Sequence, residues 1–213
     1  MTIETTTEIG TGTDRERLDA LIRIARDFGA RGWTPATSGN YSVQLEDGSI
    51  MVTRSGADKR RLEASDLMRL DADGVPLDDA RPSAEALLHV QIYSQQPETA
   101  AVLHVHSPAA TVVSRRADRA GARVLRLENY ELLKALTGVD THAAAIELPV
   151  VANDQNMQRL AEAVQPWLER PNAPPAYLIA GHGIYTWGRS VADAARHLEA
   201  LDFILNCELL ENR

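Results

Sequence analysis

The residues of this chain whose types and spacing could do chemistry begin with His104 and His106, separated by one valine. The apolar run at 100–103 precedes them and predicts a buried strand. Alternate side chains of a strand point to the same face, so both imidazoles are aimed at one point. Two converging imidazoles suit a divalent transition metal, usually zinc, which needs a third protein ligand and an open position to be catalytic. The alternative is a pair of ordinary strand-end histidines.

A third candidate ligand, His182, stands between Gly181 and Gly183. The segments 176–180 and 184–187 predict two strands, so this histidine occupies the corner between them. Flanking glycines let the backbone bend and let a ligand approach closely. An ordinary turn histidine would fit the same pattern. Together with His104 and His106, however, it completes a predicted three-histidine zinc site.

Two segments at either end of a predicted hairpin combine small hydroxyls with a glycine. Their residues are Ser38, Gly39 and Asn40 in the first segment and Ser55 and Gly56 in the second. Small side chains and an approachable backbone N–H are how proteins cradle a phosphate, and Lys59 just beyond could supply positive charge. Ordinary turn chemistry explains either segment alone. Their closeness across one hairpin favours a phosphate pocket.

Two glutamates are candidates for acid–base work. Glu85 is predicted in the first turn of a helix that Ser83 caps, and Glu131 at the start of a later helix. A carboxylate at such a place often only complements the helix dipole, so a solvated role stays open for both. A zinc enzyme that handles a phosphosugar nevertheless needs a base near the metal, which makes these the acids to test.

Composition sets the outer limits of what the chain can be. Its 213 residues, 44% hydrophobic and 24% charged, predict one well-buried domain, and the net charge of −8 argues against nucleic acid as a partner. The single cysteine, Cys207, allows no intramolecular disulfide. No apolar run approaches the roughly 20 residues that span a membrane. The first residues lack the basic and apolar regions of an export signal, so the expected location is the cytoplasm.

The order of predicted elements indicates an α/β fold with a loose tail at residues 1–12 and one domain at 13–213. Strands are predicted near 41–45, 50–53, 67–70, 101–106, 123–127, 145–151, 176–180 and 184–187. Helices are predicted near 13–28, where Thr13 and Glu16 form a capping-box pattern, and near 83–95, 108–116, 129–137, 154–169 and 190–211. Tight corners between strands favour a largely antiparallel sheet covered by helices. His89 and His197 fall within predicted helices and are expected to be structural.

Five motifs occur in one order along the chain: PATSGNYS at 35–42, TRSG at 53–56, PSAE at 82–85, HVHS at 104–107 and GHG at 181–183. On these motifs the chain resembles the class II aldolase/adducin-head superfamily from about residue 14 to its last helix. Within the superfamily, the segments at 35–40, 130–136 and 182–188 are most similar to the methylthioribulose-1-phosphate dehydratases of methionine salvage.

The resemblance implies a three-layer α/β/α fold around a largely antiparallel sheet, and a homotetramer of fourfold symmetry with active sites near subunit interfaces. It places one zinc ion per subunit on His104, His106 and His182. It makes Glu131 the catalytic acid/base and puts Glu85 beside the metal. The phosphate loops fall on Gly39, Asn40, Ser55 and Gly56, with Ser83 as a further candidate. Relatives often have asparagine where this chain has Gly181, which could loosen the ligand loop.

The activity implied is dehydration of 5-methylthioribulose 1-phosphate to 5-methylthio-2,3-dioxopentyl phosphate. In that reaction a Lewis-acid metal stabilises the enediolate left when a base removes the C3 proton, and the C4 hydroxyl leaves as water. Two alternatives stay open. One is an aldolase or 4-epimerase for phosphates of the fuculose or ribulose type, which shares the enediolate. The other is a non-catalytic scaffold like the adducin heads. The expected partner is a small phosphosugar, and neither nucleic acid nor membrane.

Overall fold

The structure is a computed structural model that describes residues 12–211. Its helices are α1 (Gly12–Ala30), α2 (Ala86–Gln95), α3 (Pro108–Arg119), α4 (Met157–Leu168) and α5 (Val191–Glu211). Its strands are β1 (Asn40–Gln44), β2 (Ile50–Thr53), β3 (Leu67–Leu70), β4 (Ala101–Val105), β5 (Val124–Glu128), β6 (Ala145–Val151), β7 (Ala176–Ile179) and β8 (Gly183–Gly188). The tail predicted for residues 1–12 lies outside this range, except for Gly12, which opens α1. None of the helices described is long and apolar enough to cross a bilayer.

The eight strands form one sheet in the order β3-β2-β1-β4-β8-β7-β6-β5. Neighbouring strands run antiparallel, except β6 and β7, which are parallel. The prediction of a largely antiparallel sheet is confirmed. The order also places β4 and β8 side by side at the centre, although they lie far apart in the chain.

Helices cover both faces of the sheet, which gives the three layers. Apolar residues of α1, α3 and α5 share one buried cluster with Leu103 and Val105 of β4. Those of α2 and α4 share a second cluster with Val102, which points to the opposite face. This alternation along β4 follows from the pleat of a strand, and it puts the side chain of His104 on the face that α2 covers.

Strand register brings three of the site's side chains into one row. Asn40 of β1 is paired with His104 of β4, and His104 is paired with Tyr185 of β8. Directly opposed residues of neighbouring strands lie on the same face within contact distance. The row therefore places an amide, an imidazole and a phenol side by side under α2.

Two predicted helices differ from the structure. The helix predicted from Ser83 begins at Ala86, with Glu85 at the N-cap position and no side-chain cap. Ser83 does not cap it, because its Oγ accepts from the backbone N–H of Glu85 at 3.4 Å instead. The helix predicted near 129–137 is a five-residue 3-10 helix, Glu131–Ala135. It is short because β5 continues to Glu128 and Asn129 then turns the chain at a φ of 62°.

Candidate metal centre and anion cradle

The three predicted ligands, His104, His106 and His182, lie together, with one ligand atom of each within 4.8 Å of the others. The Nε2 atoms of His104 and His106 are 3.0 Å apart, and the rings of His106 and His182 have centroids 4.5 Å apart. His106 follows the last residue of β4, and its backbone N–H bonds to the carbonyl of Trp33 at 2.8 Å. The cluster could hold a metal ion.

The donor chemistry of the cluster fits a divalent cation. The Nδ1 of His104 lies 2.9 Å from the carbonyl oxygen of Ile184, to which it donates, so Nε2 keeps the free lone pair. Burial lowers the pKa of His104 well below its ordinary value, and burial together with the charge of His182 lowers the pKa of His106 to about 4. Both rings are therefore neutral at physiological pH, as a metal ligand must be.

Two glycines allow the backbone to close around His104. A Cβ added to Gly183 would lie 2.1 Å from the carbonyl oxygen of Val105 and 3.0 Å from Cε1 of His104. A Cβ on Gly39, which has a φ of 74°, would lie 2.6 Å from the carbonyl oxygen of His104. Neither distance is tolerable without moving the backbone, so close approach explains both glycines.

The loop that carries His182 is held in place despite its departure from the superfamily pattern. Gly181 has a φ of 64°, a conformation that glycine adopts freely and that asparagine tolerates better than most residues. Its N–H donates to Ser114 Oγ at 3.0 Å, and Thr111 Oγ1 donates to the carbonyl of His182 at 3.0 Å. Gly181 can therefore hold the same left-handed backbone conformation that an asparagine at this position could adopt.

Glu85 lies within the histidine cluster, with 14% of its side chain exposed. Its Oε1 is 3.0 Å from Nε2 of His182, and its Oε2 is 3.5 Å from Nε2 of His104. It also accepts hydrogen bonds from Asn40 Nδ2 at 2.5 Å and Tyr185 Oη at 3.2 Å. Burial alone would raise the pKa of Glu85, but these histidines and Asn40 hold it well below its ordinary value. Glu85 is therefore an ionised and largely buried acid, and the solvated role left open for it by the sequence was wrong.

A cavity of about 230 Å³ opens beside the cluster, and we call it the anion cradle. Its lining contains all seven residues predicted to bind phosphate: Ser38, Gly39, Asn40, Ser55, Gly56, Lys59 and Ser83. Glu85 and His106 line it as well, so the cradle adjoins the metal centre. An isolated β-bridge between Arg54 and Pro82 brings the end of the β1–β2 hairpin against the segment that precedes α2.

Lys59 supplies a positive charge to the cradle. Its side chain is almost fully buried, and Nζ donates to the carbonyl of Thr37 at 2.6 Å. Burial lowers the pKa of Lys59 to about 8, against the opposing attraction of Asp58, Glu85 and Asp66. Nearby, Ser38 Oγ is buried without a hydrogen-bond partner among the described residues. A buried hydroxyl without a partner is costly, and an anion in the cradle would satisfy it.

A second and larger cavity, of about 670 Å³, lies against His106 and His182, and we call it the outer cavity. Its lining is Pro35, His106, Pro108, Thr111, Val112, Asn153, Gln155, Gly181 and His182. His106 therefore lines both cavities, and the metal centre stands between them.

Glu131 is not brought to the metal centre within one chain. The residues after β6 line the outer cavity with His182, so the carboxyl end of β6 lies near the metal centre. Because β5 runs antiparallel to β6, the carboxyl end of β5, which Glu131 follows, lies at the other end of the sheet. There Glu131 is 69% exposed, forms an ion pair with Lys134 and lies 4.0 Å from His142.

Three residues of the site were missed by the sequence interpretation. Tyr185 bonds to Glu85 and stacks on His104 at 4.0 Å between ring centroids. Arg54 lines the anion cradle, and its place inside the TRSG motif was the available signal. His89, expected to be structural, bonds to Asn40, and its spacing of one helical turn after Glu85 was the signal there. His197 is structural as expected: it is buried and bonds to the carbonyl of Trp187 at 2.8 Å.

The fold and the site together define a class of α/β/α proteins with a candidate metal centre beside an anion cradle. The family model for the Class II Aldolase and Adducin N-terminal domain matches residues 19–209, and the chain belongs to this family.

Relatives with curated names agree with that assignment. The chain is 53% identical over 192 residues to a methylthioribulose-1-phosphate dehydratase of Methylococcus capsulatus. The aligned region covers 90% of this chain and 92% of that one. It is 49% identical over 193 residues to the enzyme of the same name from Sorangium cellulosum, covering 90% of each. Among solved structures, L-fuculose-1-phosphate aldolase of Thermus thermophilus superposes with a TM-score of 0.74 at 26% identity, covering 93% of this chain and 95% of that one.

Proposed function

We propose that this chain catalyses the metal-dependent dehydration of 5-methylthioribulose 1-phosphate. One structural observation carries the proposal: an anion cradle lined by every residue predicted to bind phosphate adjoins three histidines and an ionised glutamate. Relatives that are about half identical over nine-tenths of the chain are named for this activity. Three imidazole donors favour zinc over the harder divalent ions.

The cradle fixes the substrate by its phosphate. Lys59 offers a charge, Ser38 offers a buried hydroxyl, and Arg54 lines the same cavity. Holding the phosphate orients the neighbouring C2 and C3 oxygens toward the histidines, and such positioning is worth several kcal/mol of the barrier. When bound, the metal supplies Lewis-acid stabilisation of the negative charge that develops on these oxygens.

Glu85 keeps the site ordered and negatively charged where the cradle meets the histidines. Its two oxygens accept from Asn40, Tyr185 and His182, which fixes both the carboxylate and the His182 ring. A buried carboxylate with fewer partners would be protonated or would move. As an acceptor already ionised at neutral pH, it can also take up a proton at Oε1 or Oε2 during turnover.

Glu131 remains the proposed acid/base, and it acts at the site of a neighbouring copy. Within one chain it lies at the far end of the sheet from the histidines, exposed and paired with Lys134. The fourfold homotetramer implied by the sequence resemblance puts active sites near subunit interfaces, so an exposed residue of one copy can reach the histidines of the next. In that role it removes the C3 proton and then assists loss of the C4 hydroxyl.

The outer cavity receives the methylthio end of the substrate. With the C1 phosphate in the anion cradle and the middle carbons at the histidines, the far end must extend past His106. Pro35, Pro108 and Val112 give this cavity apolar walls, which suit a thioether.

The cytoplasmic location belongs to the same proposal, and the lone Cys207 is compatible with it.

Incubation of the zinc-loaded protein with methylthioribulose 1-phosphate, fuculose 1-phosphate and ribulose 1-phosphate tests the proposal. The dehydratase converts the first into a diketone lighter by one water. Release of dihydroxyacetone phosphate would establish the aldolase alternative, because that product requires cleavage between C3 and C4. A protein that binds no metal and turns over none of the three would be a scaffold of the adducin-head kind.

A further inference from the structure

A chain of buried polar groups runs from the interior to the metal centre through His89. This histidine is 1% exposed on α2. Its Nδ1 lies 2.7 Å from Ser42 Oγ, and its Nε2 is hydrogen-bonded to Asn40 Oδ1. Ser42 Oγ lies in turn 2.8 Å from the hydroxyl of Tyr93. At the other end, Asn40 donates from Nδ2 to Glu85.

The directions of the hydrogen bonds in this chain follow from the orientation of the Asn40 amide. Its Nδ2 donates to Oε2 of Glu85, so its Oδ1 faces His89. An amide oxygen only accepts, so His89 carries its hydrogen on Nε2. Burial lowers the pKa of His89 to about 4, so the ring is neutral and its Nδ1 accepts from Ser42. Ser42 then accepts from Tyr93, and every group has its partner.

We propose that His89 is a positioning residue, which holds the Asn40 amide with its donor end toward Glu85 and the anion cradle. An asparagine without such a partner can turn over, and its carbonyl oxygen would then face the carboxylate of Glu85. With the amide fixed, one Nδ2 hydrogen bonds to Glu85 and the second is available to an anionic oxygen in the cradle, which Asn40 lines. The role in turnover rests on the proposed function, whereas the role in anion binding does not.

His197 is a matched control for His89. It is also 1% exposed on a helix, and both of its ring nitrogens are hydrogen-bonded. Its partners are the carbonyl of Trp187 and the backbone N–H and hydroxyl of Thr137. None of these residues lines the anion cradle. Replacing either histidine by alanine removes a buried imidazole of the same kind, but only one replacement frees the Asn40 amide.

The test measures binding of inorganic phosphate to the metal-free protein by calorimetry, together with kcat/KM of the zinc-loaded protein. His89→Ala weakens phosphate binding and lowers kcat/KM, each by about 10-fold, because a mispositioned binding group costs one to two orders of magnitude. His89→Gln restores most of both, since its amide nitrogen can take the place of Nε2. His197→Ala changes neither, whatever it does to the thermal midpoint.

A double-mutant cycle decides whether His89 acts through Asn40. If it does, Asn40→Ala alone and Asn40→Ala with His89→Ala lose the same amount of phosphate affinity. The proposal is overturned if the losses add, if His197→Ala weakens phosphate binding as much as His89→Ala does, or if the wild-type protein binds no phosphate. Phosphate binding that follows the cycle in a protein without dehydratase activity would refute the proposed function and leave this inference standing.

Discussion

Glu85 and His182 meet at 3.0 Å between Oε1 and Nε2, although one residue precedes α2 and the other precedes β8. The contact joins a carboxylate to a cluster of three imidazole rings. An isolated buried carboxylate is strongly unfavourable, so this one persists because Asn40, Tyr185 and His182 surround it with donors. The candidate metal centre is therefore a four-residue unit of three imidazoles and one anion.

Replacing that anion tests its part in the reaction. Glu85→Gln keeps the size of the side chain but removes the charge and the acceptor facing His182. We expect kcat to fall by about 100-fold or more, as for loss of a group that handles protons. Bound zinc, measured by atomic absorption, should stay within about a factor of two of wild type, because three imidazoles already form a complete protein ligand set. Glu98→Gln, on the exposed loop after α2, is the control; equal kcat in both variants would remove Glu85 from the chemistry.

The metal centre predicts a stoichiometry. Protein purified with zinc should hold about one ion per chain, and His106→Asn should hold much less, because a site with two imidazoles loses most of its affinity. Zinc should also raise the thermal midpoint of the wild type but not of the variant, by linkage of binding to folding. His197→Asn, a buried histidine outside the cluster, should bind zinc like the wild type. Retention of zinc by His106→Asn would place the ion elsewhere.

Lys59 predicts a pH dependence of substrate affinity. Its pKa of about 8 means that the ammonium is charged below that pH and loses its proton as the pH rises through it. The Lys59 ammonium is also attracted by three acids, Asp58, Glu85 and Asp66, and this attraction favours its charged form. Because the substrate phosphate is already a dianion above about pH 6, only the protein side changes. We expect KM to rise between pH 7.5 and about 9, and Lys59→Met should have a high KM at every pH. A wild-type KM that is flat across this range would contradict the role.

Subunit complementation tests where Glu131 acts. Glu131→Gln and His106→Asn should each be inactive when expressed alone. If Glu131 serves the histidines of a neighbouring copy, tetramers formed by co-expression contain some sites with a wild-type glutamate next to wild-type histidines, and activity returns. Mixing the two proteins after purification, without exchange of subunits, is the control. Inactive co-expressed tetramers of normal size would mean that Glu131 acts within its own chain, and full activity of Glu131→Gln alone would mean that it takes no part.

Val112 tests the outer cavity. A carboxylate introduced among Pro35, Pro108 and Val112 would have to be desolvated when the thioether enters. Val112→Asp should therefore raise KM for methylthioribulose 1-phosphate by about 10-fold or more, which corresponds to 1.4 kcal/mol of lost binding. Its affinity for inorganic phosphate should not change, because Val112 does not line the anion cradle. Val75→Asp, at an exposed turn lining neither cavity, is the matched control. An unchanged KM would place the methylthio end elsewhere.

Much of the fold could be predicted because its signals are local. The eight strands and four of the five α-helices lie close to their predicted bounds, since periodicity and turn residues act over a few positions. The start of α2 was predicted too early, because Ser83 accepts from the backbone N–H of Glu85 and does not cap the helix, which begins at Ala86. The helix predicted near 129–137 was too long, because β5 continues to Glu128 and the 3-10 helix begins only at Glu131.

The sequence by itself determined the chemistry of the donor groups: three histidines, two hydroxyl-and-glycine segments and a lysine, each recognisable from residue type and spacing. Residue type and spacing did not decide which carboxylate joins them; the family resemblance put Glu85 beside the metal, and the tertiary structure brings Glu85 there and leaves Glu131 away. Glu85 and Glu131 look alike along the chain, because each follows a turn and begins a helix. The order of the strands carries one to the histidines and the other to the opposite end of the sheet. Such an outcome depends on pairing between distant strands, and local spacing holds no information about it.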